Sequence, residues 1–155
     1  MPRTAVLVPW FREPSLVEAH VRVFRNGWCE QAARYAPAAL AATLQQLREL
    51  ERVSPPTLTH ALVVLQPVNR PRLSERDRDW LWRTFGLPVF EQVIGTRGQL
   101  LATECDAHDG LHLEASGGDL ILENAELNTN PCPCGRKSPR TTMEIPRRKA
   151  AQAGG

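Results

Sequence analysis

Residues 105–112 read CDAHDGLH and residues 132–135 read CPCG. Together they bring Cys105, His112, Cys132 and Cys134 into one short part of the chain. Thiolate sulfur and imidazole nitrogen are the donors typical of structural zinc sites, which four protein ligands close. We therefore predict one structural zinc ion and a fold built around it in this part of the chain.

A β hairpin with residues 107–110 at its tip would place Cys105 directly opposite His112. Cross-strand neighbours have Cβ atoms roughly 5 Å apart, which lets a thiolate and an imidazole share one tetrahedral ion. Gly135 can adopt the backbone turn that a tight knuckle requires. His108 is the alternative ligand, because Cys105-x-x-His108 is also a common ligand spacing.

The cysteines also admit an interpretation without metal. Unligated surface thiols beside a solvated histidine would leave the same pattern in the sequence. Cys29 stands far from the other three cysteines in sequence and is expected to be a small core residue instead of a further ligand.

Composition favours a folded protein with an unevenly distributed charge. The chain has 155 residues, 42% of them hydrophobic, and a formal net charge of +2. Residues 136–149 carry six basic residues against Glu144, a net +5, so the remainder is near −3. This mildly acidic body argues against a nucleic-acid-binding face spread over the fold.

The N-terminal apolar run, residues 5–10, is short and interrupted by Pro9, which is not typical of a signal peptide. No apolar segment approaches the roughly 20 residues that span a bilayer. We expect a soluble, cytoplasmic protein without a membrane contact. In that reducing compartment, neighbouring cysteines are ligands more often than disulfides.

Local patterns predict an α/β order of elements. We expect a helix over 15–24 and a second one from Pro37 to about Glu51, whose leucines repeat at i, i+4 and i+7. The apolar run 61–65 indicates a strand covered on both faces. Ser74 is expected to cap a helix that ends at Gly86. Further strands are predicted from Val89 and around residues 100–102, 111–113 and 120–122.

Four segments point to a family. Residues 35–40 (YAPAAL) look like a Tyr-Pro-Ser-x-Leu helix start, and residues 73–90 look like a capped helix, Phe-Gly and strand. Residues 104–113 are similar to a Glu-Cys … Gly-Leu-His-Ile element, and residues 132–136 match Cys-Pro-Cys-Gly-Arg. By these motifs, residues 35–137 resemble part of the large domain of adenylate-forming enzymes of the phenylacetate-CoA ligase type, including the related capsule-biosynthesis-like ligases.

The resemblance implies a fold, a metal and a chemistry. It implies an α/β sheet with flanking helices, plus a zinc-stapled hairpin and loop. The zinc would be held by Cys105, His112, Cys132 and Cys134, the same set that the hairpin geometry suggests. Members of this family activate a carboxylic acid as an acyl-adenylate with ATP and magnesium, and then pass the acyl group to a thiol.

The chain departs from the family where the adenylate chemistry should lie. The adenylate motif would fall at residues 94–98, where Ile94 replaces the aromatic residue that stacks on adenine and Gly98 replaces the carboxylate that helps to hold magnesium. The family's phosphate loop and ribose element are missing, and its small lysine-bearing domain would begin where this chain ends. ATP and CoA binding are therefore in doubt, and we do not expect this polypeptide to adenylate a substrate alone.

Three functions remain open. The first is a non-catalytic, zinc-binding pseudoenzyme module that acts in protein binding or assembly, with a protein partner or a second copy covering it. The second is one subunit of a split ATP-dependent carboxylic acid-CoA ligase. The third is a zinc-containing nucleic-acid-binding protein that uses the basic residues 136–149, which we consider the weakest because such runs are usually solvated.

We predict three parts along the chain. Residues 1–34 form an N-terminal helical segment, residues 35–137 form the ligase-like α/β zinc-binding domain, and residues 138–155 form a basic, disordered tail.

Overall fold

A computed structural model of the chain describes residues 2–8, 20–53, 55–114 and 127–141. The predicted strand at 120–122 and most of the predicted basic tail lie outside these ranges. Within them the chain divides into two units, one made of Met1–Leu65 and Leu73–Phe90, the other of Gln66–Arg72 and Glu91–Gly155. In the described ranges, none of the helices has the length and apolar composition needed to cross a bilayer.

The first unit is built on parallel strands. These are β1 (Thr4–Val6), β2 (Val21–Val23), β3 (Ala39–Ala42) and the beginning of β4 (Ala61–Pro67). β1 lies between β2 and β3, and β4 follows on the other side of β3, all of them parallel. Every residue of β3 is buried, as expected for a strand covered on both faces.

Among the described residues, three helices accompany these strands: α1 (Glu30–Tyr35), α2 (Leu44–Leu50) and α3 (Glu75–Phe85). The predicted helix start at Pro37 is wrong, because the chain forms β3 first and enters α2 only at Thr43. The Thr43 hydroxyl accepts from the N–H of Gln46, and the Gln46 side chain accepts from the N–H of Thr43. This reciprocal capping box fixes the start of α2.

The signals for α3 are confirmed. The Ser74 hydroxyl accepts a hydrogen bond from the N–H of Asp77, and Leu81 is fully buried. Gly86 ends the helix in the left-handed conformation at φ +67°, where a glycine has no Cβ penalty. The chain then enters β5 (Val89–Ile94).

Residues 1–34, predicted as a helical segment, instead supply two strands of the parallel sheet. Val21–Val23, the described end of the predicted helix over 15–24, is β2; residues 15–19 lie outside the described ranges. β2 is held by its pairing with β1, a contact between distant parts of the sequence that local helical patterning does not reveal. Among the described residues of this segment, α1 is the helical part.

The second unit is antiparallel. It contains the end of β5 together with β6 (Leu100–Glu104), β7 (Leu111–Leu113), β8 (Leu127–Asn128) and β9 (Arg140–Thr141). β6 pairs with β5 and β7, and β9 lies between β7 and β8. A small apolar core of Val93, Leu101, Ala102, Leu111 and Leu113 holds these strands together. Parallel strands with helices in one unit and antiparallel strands in the other confirm the predicted mixed α/β class.

Candidate metal centre

The hairpin of β6 and β7 and the loop between β8 and β9 bring four metal-binding side chains together. Cys105 follows β6, His112 lies in β7, and Cys132 and Cys134 stand in the loop. Their sulfur and nitrogen atoms all lie within 4.8 Å of one another. We call these four residues the Cys3His cluster, and it could hold a metal ion.

Two distances between donor atoms can be compared with those around a tetrahedral zinc ion. Sγ of Cys105 lies 3.5 Å from Sγ of Cys132, and Sγ of Cys134 lies 3.4 Å from Nε2 of His112. Zinc bonds of about 2.3 Å to sulfur and about 2.0 Å to nitrogen would set two sulfurs roughly 3.8 Å apart, and a sulfur and a nitrogen roughly 3.5 Å apart. The two distances are therefore close to the edges of such a tetrahedron.

The imidazole of His112 is held in the orientation that a ligand needs. The side chain is fully buried, and its Nδ1 donates to the carbonyl oxygen of Ser138 at 3.0 Å. A carbonyl oxygen can only accept, so the proton is on Nδ1 and the lone pair of Nε2 points toward Cys134. Metal-binding histidines usually have such an acceptor behind them.

The loop that carries two of the thiols forms a tight knuckle. The N–H of Gly135 donates to the carbonyl of Cys132 at 3.0 Å, and Gly135 takes φ +86°. The N–H of Arg136 points at Sγ of Cys134 at 3.4 Å. Backbone N–H groups directed at sulfur stabilise the thiolate, the form of cysteine that binds metal.

Two of the thiols have shifted pKa values of opposite sign. The backbone N–H of Cys134 is the main cause that lowers the pKa of Cys132 to about 6. Burial raises the pKa of Cys105 to about 11. Near neutral pH the metal-free cluster thus has a thiolate at Cys132 beside a protonated thiol at Cys105, and a metal would displace that proton.

The predicted hairpin exists, but its predicted register is wrong. His112 lies opposite Thr103 instead of Cys105, and Glu104 lies opposite Leu111. The connection is therefore longer than predicted and runs over residues 105–110. A shift of two residues keeps every side chain on its original face of the sheet. His112 is the one ligand that lies in a strand, and Cys105 reaches the cluster from the connection.

His108, the alternative ligand, does not join the cluster. Its Nδ1 lies 2.8 Å from a carboxylate oxygen of Glu104, and it stands in the hairpin connection at φ +49°. Cys29 is partly buried and packs against the core of the first unit, as expected.

Several residues that the sequence did not single out support the cluster. The buried guanidinium of Arg140 donates to the carboxylate of Asp109 at 2.8 Å and to the carbonyl of Asn130 at 3.2 Å. It thereby joins the hairpin connection to the loop that carries the thiols. Arg136 pairs with Glu114 at 2.6 Å beside the knuckle. The count of basic residues in this segment gave no indication of these pairings.

Residues 94–98, where the adenylate motif would fall, form the end of β5 and the tight turn between β5 and β6. The N–H of Gly95 donates to the carbonyl of Gln99 at 2.8 Å, and Gly98 takes φ +79°. Ile94 is only 1% exposed. Its side chain is thus part of the core and is not presented to a ligand.

Comparisons with known proteins give a similarity of fold. No protein-family model matches the chain, and no curated protein matches it. Among solved structures, an open conformation of 2-hydroxyisobutyryl-CoA ligase in complex with 2-HIB-AMP and CoA superposes with a TM-score of 0.60 at 13% sequence identity. The match covers 91% of this chain and 44% of the ligase chain. At this identity the likeness concerns the fold alone: the chain is built like part of an acyl-CoA ligase.

Proposed function

We propose that this protein is a zinc-binding module with an adenylate-forming-ligase-like fold that acts in protein binding or assembly and does not adenylate substrates by itself. The observation that carries the proposal is the convergence of the Cys3His cluster, whose four donor atoms all lie within 4.8 Å of one another. A finer assignment to the phenylacetate-CoA ligase type is part of the same proposal, and it rests on the motifs at residues 104–113 and 132–136.

The donor set favours zinc over the hard cations. Three thiols and an imidazole suit zinc, whereas magnesium and calcium prefer oxygen ligands. Four protein ligands fill a tetrahedral shell and leave no position for a substrate or an activated water. The metal would thus be structural, and it would stabilise the loop and hairpin that it joins.

Two features of the turn between β5 and β6 support a non-catalytic role. Ile94 is buried where the resemblance implies an aromatic residue that stacks on adenine, and Gly98 brings no carboxylate for magnesium. A ligase needs both the nucleotide and its metal ion fixed near the reacting phosphate. The short turn that follows the buried Ile94 offers no aromatic side chain for the nucleotide and no carboxylate for the metal ion.

An exposed tryptophan supports a role in protein binding. Trp82 on α3 is 55% exposed, one of two large hydrophobic side chains exposed among the described residues; the other is Val53. Tryptophan is enriched in protein interfaces, where it supplies much of the binding free energy. The outer face of α3 is therefore our candidate contact for a partner or a second copy of the chain.

The proposal is tested by metal analysis together with partner capture. Purified protein should contain one zinc per chain and should show no ATP-dependent pyrophosphate exchange with a panel of carboxylic acids. Affinity purification with wild type, Trp82→Ser and Val53→Ser, followed by quantitative mass spectrometry, should find a partner that only Trp82→Ser loses. Exchange activity that appears when the captured partner is added would favour the split ligase instead, and the absence of metal would refute the module.

A further inference from the structure

A pocket in the first unit lies beside β2, α1 and the residue that precedes β1. Its volume is about 770 Å³, within the range of about 300–1,000 Å³ typical of small-molecule sites. The residues that matter for its chemistry are four arginines and two aromatic residues: Arg3, Arg22, Arg25, Arg34, Phe24 and Tyr35.

The pocket carries an excess of positive charge. Among its described lining residues there is no Asp or Glu. Arg34 pairs with Glu30 at 2.6 Å, but Arg3, Arg22 and Arg25 make no ion pair with a carboxylate of the described residues. Guanidinium groups gathered in one place repel one another, and a bound anion would relieve that repulsion.

Two of the guanidinium groups are positioned by one aromatic ring. Arg3 and Arg22 lie 5.9 Å and 5.6 Å from the ring centroid of Tyr35, both within cation–π distance. The Tyr35 hydroxyl donates to the carbonyl of His20 at 2.6 Å, and its ring packs on Phe24 at 5.7 Å. The ring is thus fixed by its own contacts, and the two cations lose less freedom when they bind an anion.

We propose that this pocket binds a small molecule that carries two or more phosphate groups. A guanidinium fork matches the oxygens of a phosphate group in a bidentate way. Two linked phosphate groups bring about three negative charges at neutral pH, which matches the three arginines without a described carboxylate partner. The apolar sides of Phe24 and Val23 can accept a carbon portion of the same molecule. This site is independent of the Cys3His cluster and of the proposed function.

The test is a calorimetric titration of the purified protein with pyrophosphate at low salt. Arg22→Gln should weaken binding roughly tenfold or more, because a charge-assisted hydrogen bond is lost. Arg52→Gln, which removes another exposed arginine outside the pocket, should leave the affinity unchanged. Arg22 and Arg52 are both exposed, so both variants should melt at the same temperature as the wild type. If Arg22→Gln does not fold, Arg25→Gln takes its place in the titration.

Titrations with further ligands show which class of phosphate-bearing molecule the pocket prefers. ADP that binds more tightly than pyrophosphate would indicate a nucleotide, and equal binding would indicate that only the phosphates are recognised; either result supports the proposal. Citrate or inorganic phosphate that binds as tightly as pyrophosphate would overturn it, since the pocket would then be a general anion site. The proposal would also be overturned if pyrophosphate binding is undetectable or if Arg22→Gln leaves the affinity for pyrophosphate unchanged. It would be overturned as well if a single-stranded oligonucleotide binds far more tightly than pyrophosphate and depends on Arg22, since the ligand would then be a nucleic acid.

Discussion

Nδ1 of His112 lies 3.0 Å from the carbonyl oxygen of Ser138, so the proton of this buried imidazole stays on the side away from the thiols. This one contact sets the tautomer and the ring orientation that a metal requires. The histidine four residues earlier makes its contact with Glu104 instead. The two histidines therefore have different chemical roles, and mutagenesis can separate them.

We expect His112→Ala to abolish tight zinc binding, because it removes one of four ligands and leaves a buried cavity. His108→Ala should retain zinc, since its ring binds a carboxylate outside the cluster. The measurement is competition for zinc against a chromophoric chelator. For His112→Ala we expect the affinity for zinc to fall by at least ~100-fold. Substituting a residue that only hydrogen-bonds to a metal ligand typically costs about 10–100-fold. Equal effects of the two substitutions would contradict the assignment of His112 as the ligand.

Zinc removal should loosen the second unit. A ligand that binds only the folded form stabilises it by about 4.1 kcal/mol at a thousandfold excess over its Kd. Chelation should therefore raise amide hydrogen exchange in β7, β9 and the thiol loop, where few backbone pairs hold the strands. Amides of β3 and of Ala61–Leu65 in β4, which belong to the first unit, should keep their protection and act as the internal control. Unchanged exchange throughout would show that no metal stabilises the fold.

The fold was predictable where local signals and tertiary contacts agree. The strand at Ala61–Pro67 and α3 carry their own patterning and capping residues, and both are confirmed. The Ala39–Ala42 strand was predicted as helix, because alanine and leucine favour helices locally whereas burial between β1 and β4 decides the outcome.

The candidate site was predictable in its residues more than in its geometry. Cysteine and histidine spacing indicates the three thiols but leaves His108 and His112 as alternatives, and the two-residue difference in hairpin register does not show in the pattern. Nδ1 of His112 contacts both the backbone carbonyl and the hydroxyl of Ser138. Every residue has such a carbonyl, and a single serine 26 residues away in the sequence gives no signal of the contact.

Zinc uptake should depend on pH in a defined direction. The pKa of Cys105 is raised to about 11 by burial, so its thiol is protonated at pH 7 and must release that proton to bind metal. Affinity should therefore rise as the pH increases from 6 to 8, and fall as it decreases. Calorimetry in two buffers of different ionisation enthalpy would measure the release, with at least one proton expected per zinc. A cluster that takes up zinc without proton release would disprove the protonated state of Cys105.

Two glycines of the second unit should differ in their response to alanine. Gly135 takes φ +86°, and a Cβ added there meets no atom within 4 Å, so Gly135→Ala should cost only the left-handed strain of about 1–2 kcal/mol. Gly110 takes φ +80°, and its Cβ would lie 2.6 Å from the carbonyl oxygen of Thr141. Gly110→Ala should therefore destabilise the protein more, because β9 must move away from the hairpin connection.

Urea unfolding of the zinc-loaded variants measures this difference. Gly86→Ala is the matched control in the first unit, since it has φ +67° and open space around its Cβ, as at Gly135. We expect Gly86→Ala and Gly135→Ala to lose similar free energies of unfolding if zinc remains bound to both. A loss for Gly110→Ala no larger than theirs would show that β9 does not pack against the hairpin connection. If Gly135→Ala alone also releases zinc, the turn at Gly135 is required to present the thiols of the knuckle to the metal.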